Sequence, residues 1–181
     1  MSYLIRNATP DDAAAIVDIY APYVLSTGVT FETEVPTVEE YRRRIEKIQA
    51  FYPFFVLEED GEVVAYTCAH AYHERAAYRW ICETTIYVRQ DRHRSGYARL
   101  LYEKLLPALK KQGICEAIAS LGCPNEPSER FHERMGFRLT ALFPQYGYKL
   151  GRWYDVKYYS LQLNPRAGEP EVPVPYRNVE E

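Results

Sequence analysis

The segment "RQDRHRSGYARLLYEKLL", Arg89 to Leu106, has the residue types and spacing to hold an anion. Ala98, Leu101, Leu105 and Leu109 recur at helical spacing, which sets Gly96 at or near a helix start, where backbone N–H groups lack partners. A turn Arg94-Ser95-Gly96-Tyr97-Ala98 entering that helix aims several N–H groups at one point, and the helix dipole adds favourable potential for phosphate. Gly96 and the small Ala98 let a ligand approach the backbone closely. The same residues also fit a plain helix start with solvated basic side chains. The turn is neither G-x-G-x-x-G nor a Walker loop, since no Gly-Lys-Ser/Thr follows, and this disfavours a dinucleotide or a nucleoside triphosphate.

Two positions have the chemistry to move protons. Glu83 interrupts the apolar run "WICETTIYV", and a carboxylate in apolar surroundings has its pKa raised toward the range where a base is useful. The alternative is a glutamate on the solvent face of its strand. Ser128 and His132 are four apart and share one helical face beside the apolar face of Phe131 and Met135. An imidazole there can serve as acid or as part of a base relay, or it is an ordinary half-buried histidine. Arg75, Tyr78 and Arg79 lie just before the strand of Glu83, and Phe31-Glu32 sits in the loop after the first helix. Arginine's planar fork suits a carboxylate or another oxyanion, so these five are candidate substrate contacts; surface arginines on a hairpin loop are the plain alternative.

The elements that must position these residues follow from periodicity and breakers. A strand over "YLIRNAT" feeds a helix with Thr9 as N-cap and Pro10 at its first position, fading near Gly28. Thr37-Val38-Glu39-Glu40 opens a second, more charged helix through Lys47. "PFFVLEED" and "EVVAYTCAHAY" flank the hairpin signal Asp60-Gly61, and "RWICETTIYV" completes an antiparallel meander. After the Gly96 helix, where Pro107 predicts a kink or a break into two helices, "CEAIASLGC" reads as a buried strand. A short helix closed by Gly136 and a final pair of strands complete the order βααβββαβαββ. The tail, residues 164–181, is rich in proline and glutamate and is expected to be extended without a core of its own.

At 181 residues and 47% hydrophobic, the chain can bury one sizeable core, and length predicts one domain or at most two. Its apolar runs fall far short of the roughly 18 residues that span a bilayer, and "MSYLIRNATPDD" has neither a basic nor an apolar leader region, so a cytoplasmic protein with no membrane partner is expected. The four cysteines contain no C-x-x-C pair and no histidine at ligand spacing, which predicts reduced core thiols and no metal. A net charge of −3 argues against a nucleic-acid partner.

Read together, the element order, the "V-x5-R-S-G-Y-A" turn, the "C-P-N-E-P-S-E-R-F-H-E-R-M-G-F" segment and the "G-Y-K-L-G-R-W-Y-D-V" strand pair resemble the GNAT superfamily of acetyl-CoA-dependent N-acetyltransferases. More narrowly they resemble its phosphinothricin and methionine sulfoximine branch, over residues 3 to 163. The resemblance implies an α/β (α+β) fold with a mixed, mostly antiparallel central sheet and flanking helices, the domain occupying residues 1–163. It implies that the anion is the pyrophosphate of coenzyme A, held at His93, Arg94, Ser95, Gly96, Tyr97, Ala98 and Arg99. The pantetheine arm would run beside Ile86, Tyr87 and Val88, with Asn125 and Ser128 opposite. His93 stands where the family has Gln or Arg, and Ala98 is the second small residue of the cradle.

In the family pattern Glu83 falls on the proposed base, acting through water, and His132 on a residue facing the cofactor sulfur, the likelier donor of a proton to the thiolate. Arg79 matches the methionine sulfoximine type, and Lys149, Trp153 and Asp155 match the branch, although Trp153 equally fits a core or dimer contact. Direct acetyl transfer to the amine of a small amino-acid-like acceptor, by a homodimer, is the implied activity. Three rivals stand beside it: a covalent enzyme using Cys123 or Cys115, a non-catalytic acyl-CoA sensor, and an acetyltransferase for protein N-termini.

Overall fold

The computed structural model of the chain describes residues 2–179; Met1 of the expected domain and Glu180 and Glu181 of the expected tail lie outside the described residues. The elements are β1 (Tyr3–Asn7), α1 (Ala13–Ser26), α2 (Val38–Gln49), β2 (Phe54–Glu59), β3 (Glu62–Ala71), β4 (Ile81–Val88), α3 (Tyr97–Lys111), β5 (Glu116–Cys123), α4 (Glu126–Arg134), β6 (Arg138–Lys149) and β7 (Arg152–Gln162). This is the predicted order. Local chemistry sets several boundaries. A 3-10 turn over Pro10–Asp12 leads into α1, its entry held by the Thr9 N–H donating to Asp12 Oδ2 at 2.7 Å. Thr37 and Glu40 cap α2 reciprocally, at 3.2 Å and 2.7 Å. Asp60 and Gly61, both at positive φ, make the β2–β3 hairpin turn. Helix α3 runs unbroken through Pro107, so the alternative of two helices is set aside.

The seven strands form one sheet in the order β1-β2-β3-β4-β5-β7-β6. All pairs are antiparallel except β4 with β5. That parallel pair is short: Ile81 faces Glu116, Cys82 faces Ala117 and Glu83 faces Ile118, and there the ladder stops. Beyond Glu83 the two strands part. β4 stays with β3 out to Val88, while β5 stays with β7 out to Cys123.

Helices cover both faces. α1 and α2 bury Ile16, Tyr20, Tyr41 and Ile45 against Phe54, Val56, Tyr66 and Cys68 on one side. α3 buries Leu101, Leu105 and Leu109 among Phe55, Leu57 and Ala69 on the other. The tail crosses the C-terminal end of α3: the Val174 N–H donates to Gln112 O (3.0 Å), the Tyr176 N–H to Phe51 O (2.8 Å), and Trp80 Nε1 to Glu171 O (2.8 Å).

The loop between α1 and α2 lies over the open end of the sheet. Buried Lys149, at the end of β6, donates to Thr30 O at 2.8 Å and so fastens the loop to the β6–β7 hairpin. The close fit depends on a missing side chain, since a Cβ on Gly122 would sit 2.0 Å from the Gly28 carbonyl oxygen. Backbone on backbone cannot give way cheaply. Gly122→Ala is therefore expected to displace the loop and destabilise the fold by about 1–3 kcal/mol, read as a lower urea midpoint. A midpoint equal to the parent's would show that the loop is not packed on β5.

Candidate active site

The parting of β4 and β5 opens a cleft of about 1170 Å³. One wall is Ile86, Tyr87 and Val88; the other is the start of α4, with Asn125, Pro127 and Ser128; every residue from His93 to Arg99 borders its floor. All twelve residues expected to hold the cofactor thus meet around one space. Arg94 (φ 67°) and Gly96 (φ 87°) both take left-handed backbone, which turns the chain sharply into α3. No atom lies within 4 Å of where a Gly96 Cβ would be, so the glycine leaves open room in front of the helix. The N–H groups of Ala98 and Arg99 precede the first intrahelical bond, from Leu100 N to Gly96 O, and point out of the helix end.

The side chains of this turn anchor it. The Tyr97 hydroxyl donates to Glu59, which also accepts from Arg92 Nε, so the turn is pinned to β2. Tyr97 and then Arg92 hold the Glu59 carboxyl below its ordinary range. The Tyr23 hydroxyl donates to Val88 O at 2.6 Å, so His93 Nε2, also at 2.6 Å, must be the donor to it. Tyr23 was not singled out from the sequence, because only the fold brings α1 against the end of β4. Arg92, Arg94, Arg99, Arg130 and Arg134 border the cleft together with Glu103 and Glu126; Arg92, Arg99 and Arg130 pair with Glu59, Glu103 and Glu126, so the lining keeps an excess of positive charge through Arg94 and Arg134.

A second cavity, about 680 Å³, meets the first at the same parting. Glu83 stands on its wall with His70, Ala71 and Glu74; Phe31 and Glu32 close it from the loop, as expected. Burial raises the Glu83 pKa above the ordinary carboxylate value, and the charges of His70 and His73 partly offset that rise. Arg44, missed in the sequence because it sits in the run Arg42-Arg43-Arg44, grips Glu32 with both ends of its fork, at 2.6 and 3.1 Å. Arg75, Tyr78 and Arg79 lie apart from this cavity. A 3-10 turn over Ala76–Tyr78 carries all three outward, and none borders the cavity. Arg79 donates to Ala76 O at 2.9 Å and lies over the Trp80 ring.

His132 is more deeply set than a histidine facing a cofactor sulfur needs to be: it is 2% exposed, among Tyr102, Phe131, Phe137 and Tyr159. Nδ1 lies 2.8 Å from Ser128 O, which can only accept, so Nδ1 carries the proton. Nε2 is 3.1 Å from the Tyr102 hydroxyl, whose oxygen is 2.9 Å from Thr84 Oγ1. Burial lowers the His132 pKa to about 4, against a smaller opposing effect of the Ser128 carbonyl. A neutral ring whose one N–H is engaged has no proton ready to deliver, which redirects the expectation that it is the acid.

A sheet that opens beside a carboxylate, with a helix-start anion cradle at the far end of the opening, defines an acetyltransferase site. The model of the acetyltransferase (GNAT) domain matches residues 5–157, and the chain belongs to this family. It is 36% identical to a phosphinothricin N-acetyltransferase of Streptomyces viridochromogenes, covering 97% of this chain and 92% of that one. It is 32% identical to an L-methionine sulfoximine/L-methionine sulfone acetyltransferase of Salmonella typhimurium, covering 90% and 96%. A Sinorhizobium meliloti phosphinothricin acetyltransferase solved in complex with acetyl-CoA superposes with a TM-score of 0.90 at 30% identity, covering 98% of this chain and all of that one.

The His132 geometry makes a direct prediction. Its imidazole should stay the neutral Nδ1–H tautomer from pH 5 to 8, titrating only near the value of about 4 that burial imposes. Nitrogen NMR of the labelled ring reads both properties. A midpoint between 6 and 7 would show that the ring is not sealed among these neighbours.

Proposed function

We propose that the chain transfers an acetyl group from acetyl-CoA to the primary amine of a small amino-acid-like acceptor of the phosphinothricin, methionine sulfoximine or methionine sulfone type. The observation that carries this reading is the meeting of two cavities along Ile86, Tyr87, Asn125 and Ser128, one lined by the Gly96 turn and the other by Glu83 and polar side chains of both charges. The donor's phosphates suit the N–H groups and arginines at the start of α3. Its acyl-bearing arm suits the β4 edge past Glu83, whose backbone groups have lost their strand partner.

Transfer is direct. The amine nitrogen attacks the thioester carbonyl carbon, a C–N bond forms, and the C–S bond breaks with its electrons leaving on sulfur. Glu83, through a water, takes the proton that the attacking nitrogen must lose; the thiolate takes one from the solvent-connected cleft. His132 acts through its neighbours, holding Tyr102 with Nε2 and the Ser128 carbonyl with Nδ1–H. Arg75, one residue beyond the wall residue Glu74, and Arg79 serve at the rim, drawing an acidic acceptor toward the cavity. A coenzyme A donor and four cysteines free of disulfides suit the cytoplasm.

Initial-rate kinetics over a panel of phosphinothricin, methionine sulfoximine and sulfone, amino acids, polyamines and peptides tests the reading. Intersecting rather than parallel lines are expected, with Glu83→Gln lowering kcat by roughly 10²-fold and losing least at high pH, where the amine is already deprotonated. Gly96→Val, a branched residue at left-handed φ, is expected to abolish the rise in Tm caused by acetyl-CoA. For His132, Asn keeps an N–H for the Ser128 carbonyl and is expected to retain far more kcat than Ala. Equal losses in the two would restore His132 as the proton donor. Unchanged kcat in Glu83→Gln would remove the base, and activity confined to peptides would move the acceptor to a protein N-terminus.

We further propose a homodimer through the outer face of β6 and β7. Leu142, Phe143, Tyr146, Tyr148, Leu150 and Trp153 are all exposed on this hairpin, a concentration of large apolar side chains that a second copy would cover. Light scattering after size exclusion should give twice the chain mass, and Trp153→Glu should give a monomer. A parent protein that elutes as a monomer at all concentrations overturns this assembly.

A further inference from the structure

We infer that His70 is an electrostatic partner of Glu83: when protonated it stabilises the charged carboxylate that takes the acceptor's proton. The inference rests on Glu83 being the base. His70 on β3 and Glu83 on β4 are direct register partners, so their side chains leave the sheet on the same face, with Cβ atoms about 5 Å apart. Both line the acceptor cavity. His70 Nδ1 lies 3.2 Å from Ala71 O and donates to it, which leaves Nε2 as a free basic nitrogen. His70 is part-exposed, so a proton that reaches it has a route to solvent.

The surroundings isolate this pair. Tyr72, His73 and Glu74 come from the β3–β4 connection, Cys82 from β4 itself, Tyr102 from α3, His132 from α4, and Glu32, Arg44 and Lys47 from across the cavity. Glu32 and Arg44 neutralise each other, Tyr102 and His132 are sealed together, and Cys82 is fully buried. The charges acting on Glu83 are His70 first and His73 second. His73 packs edge-on against Tyr72 and tilted against Tyr78 and does not line the cavity, which leaves His70 as the register partner of the carboxylate within it.

The proton path then balances. A proton leaves the acceptor nitrogen for water, passes to the Glu83 carboxylate, and is lost from there to solvent through the open cavity, with the carboxylate restored for the next turnover. While His70 is protonated, its charge opposes the protonation of Glu83. On acidification the carboxylate therefore survives to lower pH than its burial alone would allow.

His70→Gln keeps the bulk of the side chain and removes the charge. The acid limb of kcat/KM is expected to shift up by about half a unit to one unit, a roughly 3- to 10-fold loss at pH 6, with little change at pH 9. If that variant folds poorly, His70→Ala with added imidazole replaces it, and restoration of the pH 6 rate by imidazole is expected. An unshifted acid limb, or no rescue by imidazole, overturns the role of His70 provided that Glu83→Gln is itself impaired. Full activity in Glu83→Gln instead overturns the base assignment, and this inference with it. Equal loss at pH 6 and pH 9 would identify a structural defect and also reject the coupling.

Discussion

Everything at this site depends on one interruption: the β4–β5 ladder ends at Glu83 and Ile118. Two side chains enforce it. The Thr84 hydroxyl lies 3.1 Å from Ile118 O, and the Tyr102 hydroxyl stands against Thr84 from the α3 side, fully buried. The carbonyl that would extend the parallel ladder already has a partner, and a phenol ring occupies the space behind it. Backbone polar groups left without partners are costly unless a ligand or water supplies them, so the parted edge of β4 is a built-in demand for a hydrogen-bonding ligand. Because the opening passes through the sheet, it also lets groups on opposite faces share one space. Glu83 belongs to the α1–α2 face and His132 to the α3–α4 face, yet both border the same cavity.

Opening a sheet removes rigidity exactly where precision is needed, and the surrounding elements restore it by long-range bonds. Tyr23 ties α1 to Val88 and to His93; Glu59 ties β2 to Tyr97 and Arg92; Lys149 ties β6 to the α1–α2 loop. On the far wall, Glu129 of α4 accepts from Lys157 at 2.5 Å and from Tyr159 at 3.2 Å, which sets α4 against β7. Each of these is a charged or phenolic group with a short bond and limited exposure, and such bonds are stronger than neutral surface contacts. The cleft is thus held open from four directions, by residues that do not need to touch a ligand.

Much of this was legible in the chain because it is local. Capping residues, the Asp60-Gly61 turn, the helical stripe after Gly96 and the motif resemblance gave every element and twelve of the residues that border the larger cleft. Glu83 was visible as a charge in an apolar strand. What escaped depends on register and distance. The β3–β4 connection is long and irregular, so no counting from the sequence could put His70 opposite Glu83 or show that the turn at Ala76 swings Arg75, Tyr78 and Arg79 outward. Arg44 was hidden among three consecutive arginines, of which only the helix phase selects one for the cavity. His132 was found, but helical spacing gives a direction and not a depth; the ring environment that buries it comes largely from α3, β7 and the turn after α4.

Burial also decides which chemistry the site can run. It raises Glu83, lowers His132, and raises the thiols of Cys68 to about 12 and of Cys123 to about 11, the latter with a further contribution from the Glu129 carboxylate. All of these shifts favour the neutral form. A thiol held near 11 or above supplies almost no thiolate at pH 7, so an acyl-enzyme on Cys123 or Cys68 lacks its nucleophile. A histidine held near 4 supplies almost no imidazolium, so acid catalysis by His132 lacks its proton. Glu83 differs in one respect: the opening that partly dries it also places it beside His70 and leaves it within reach of water. It combines a raised pKa, a neighbouring imidazole and a place on the cavity wall, and a single proton acceptor is what direct attack by an amine requires.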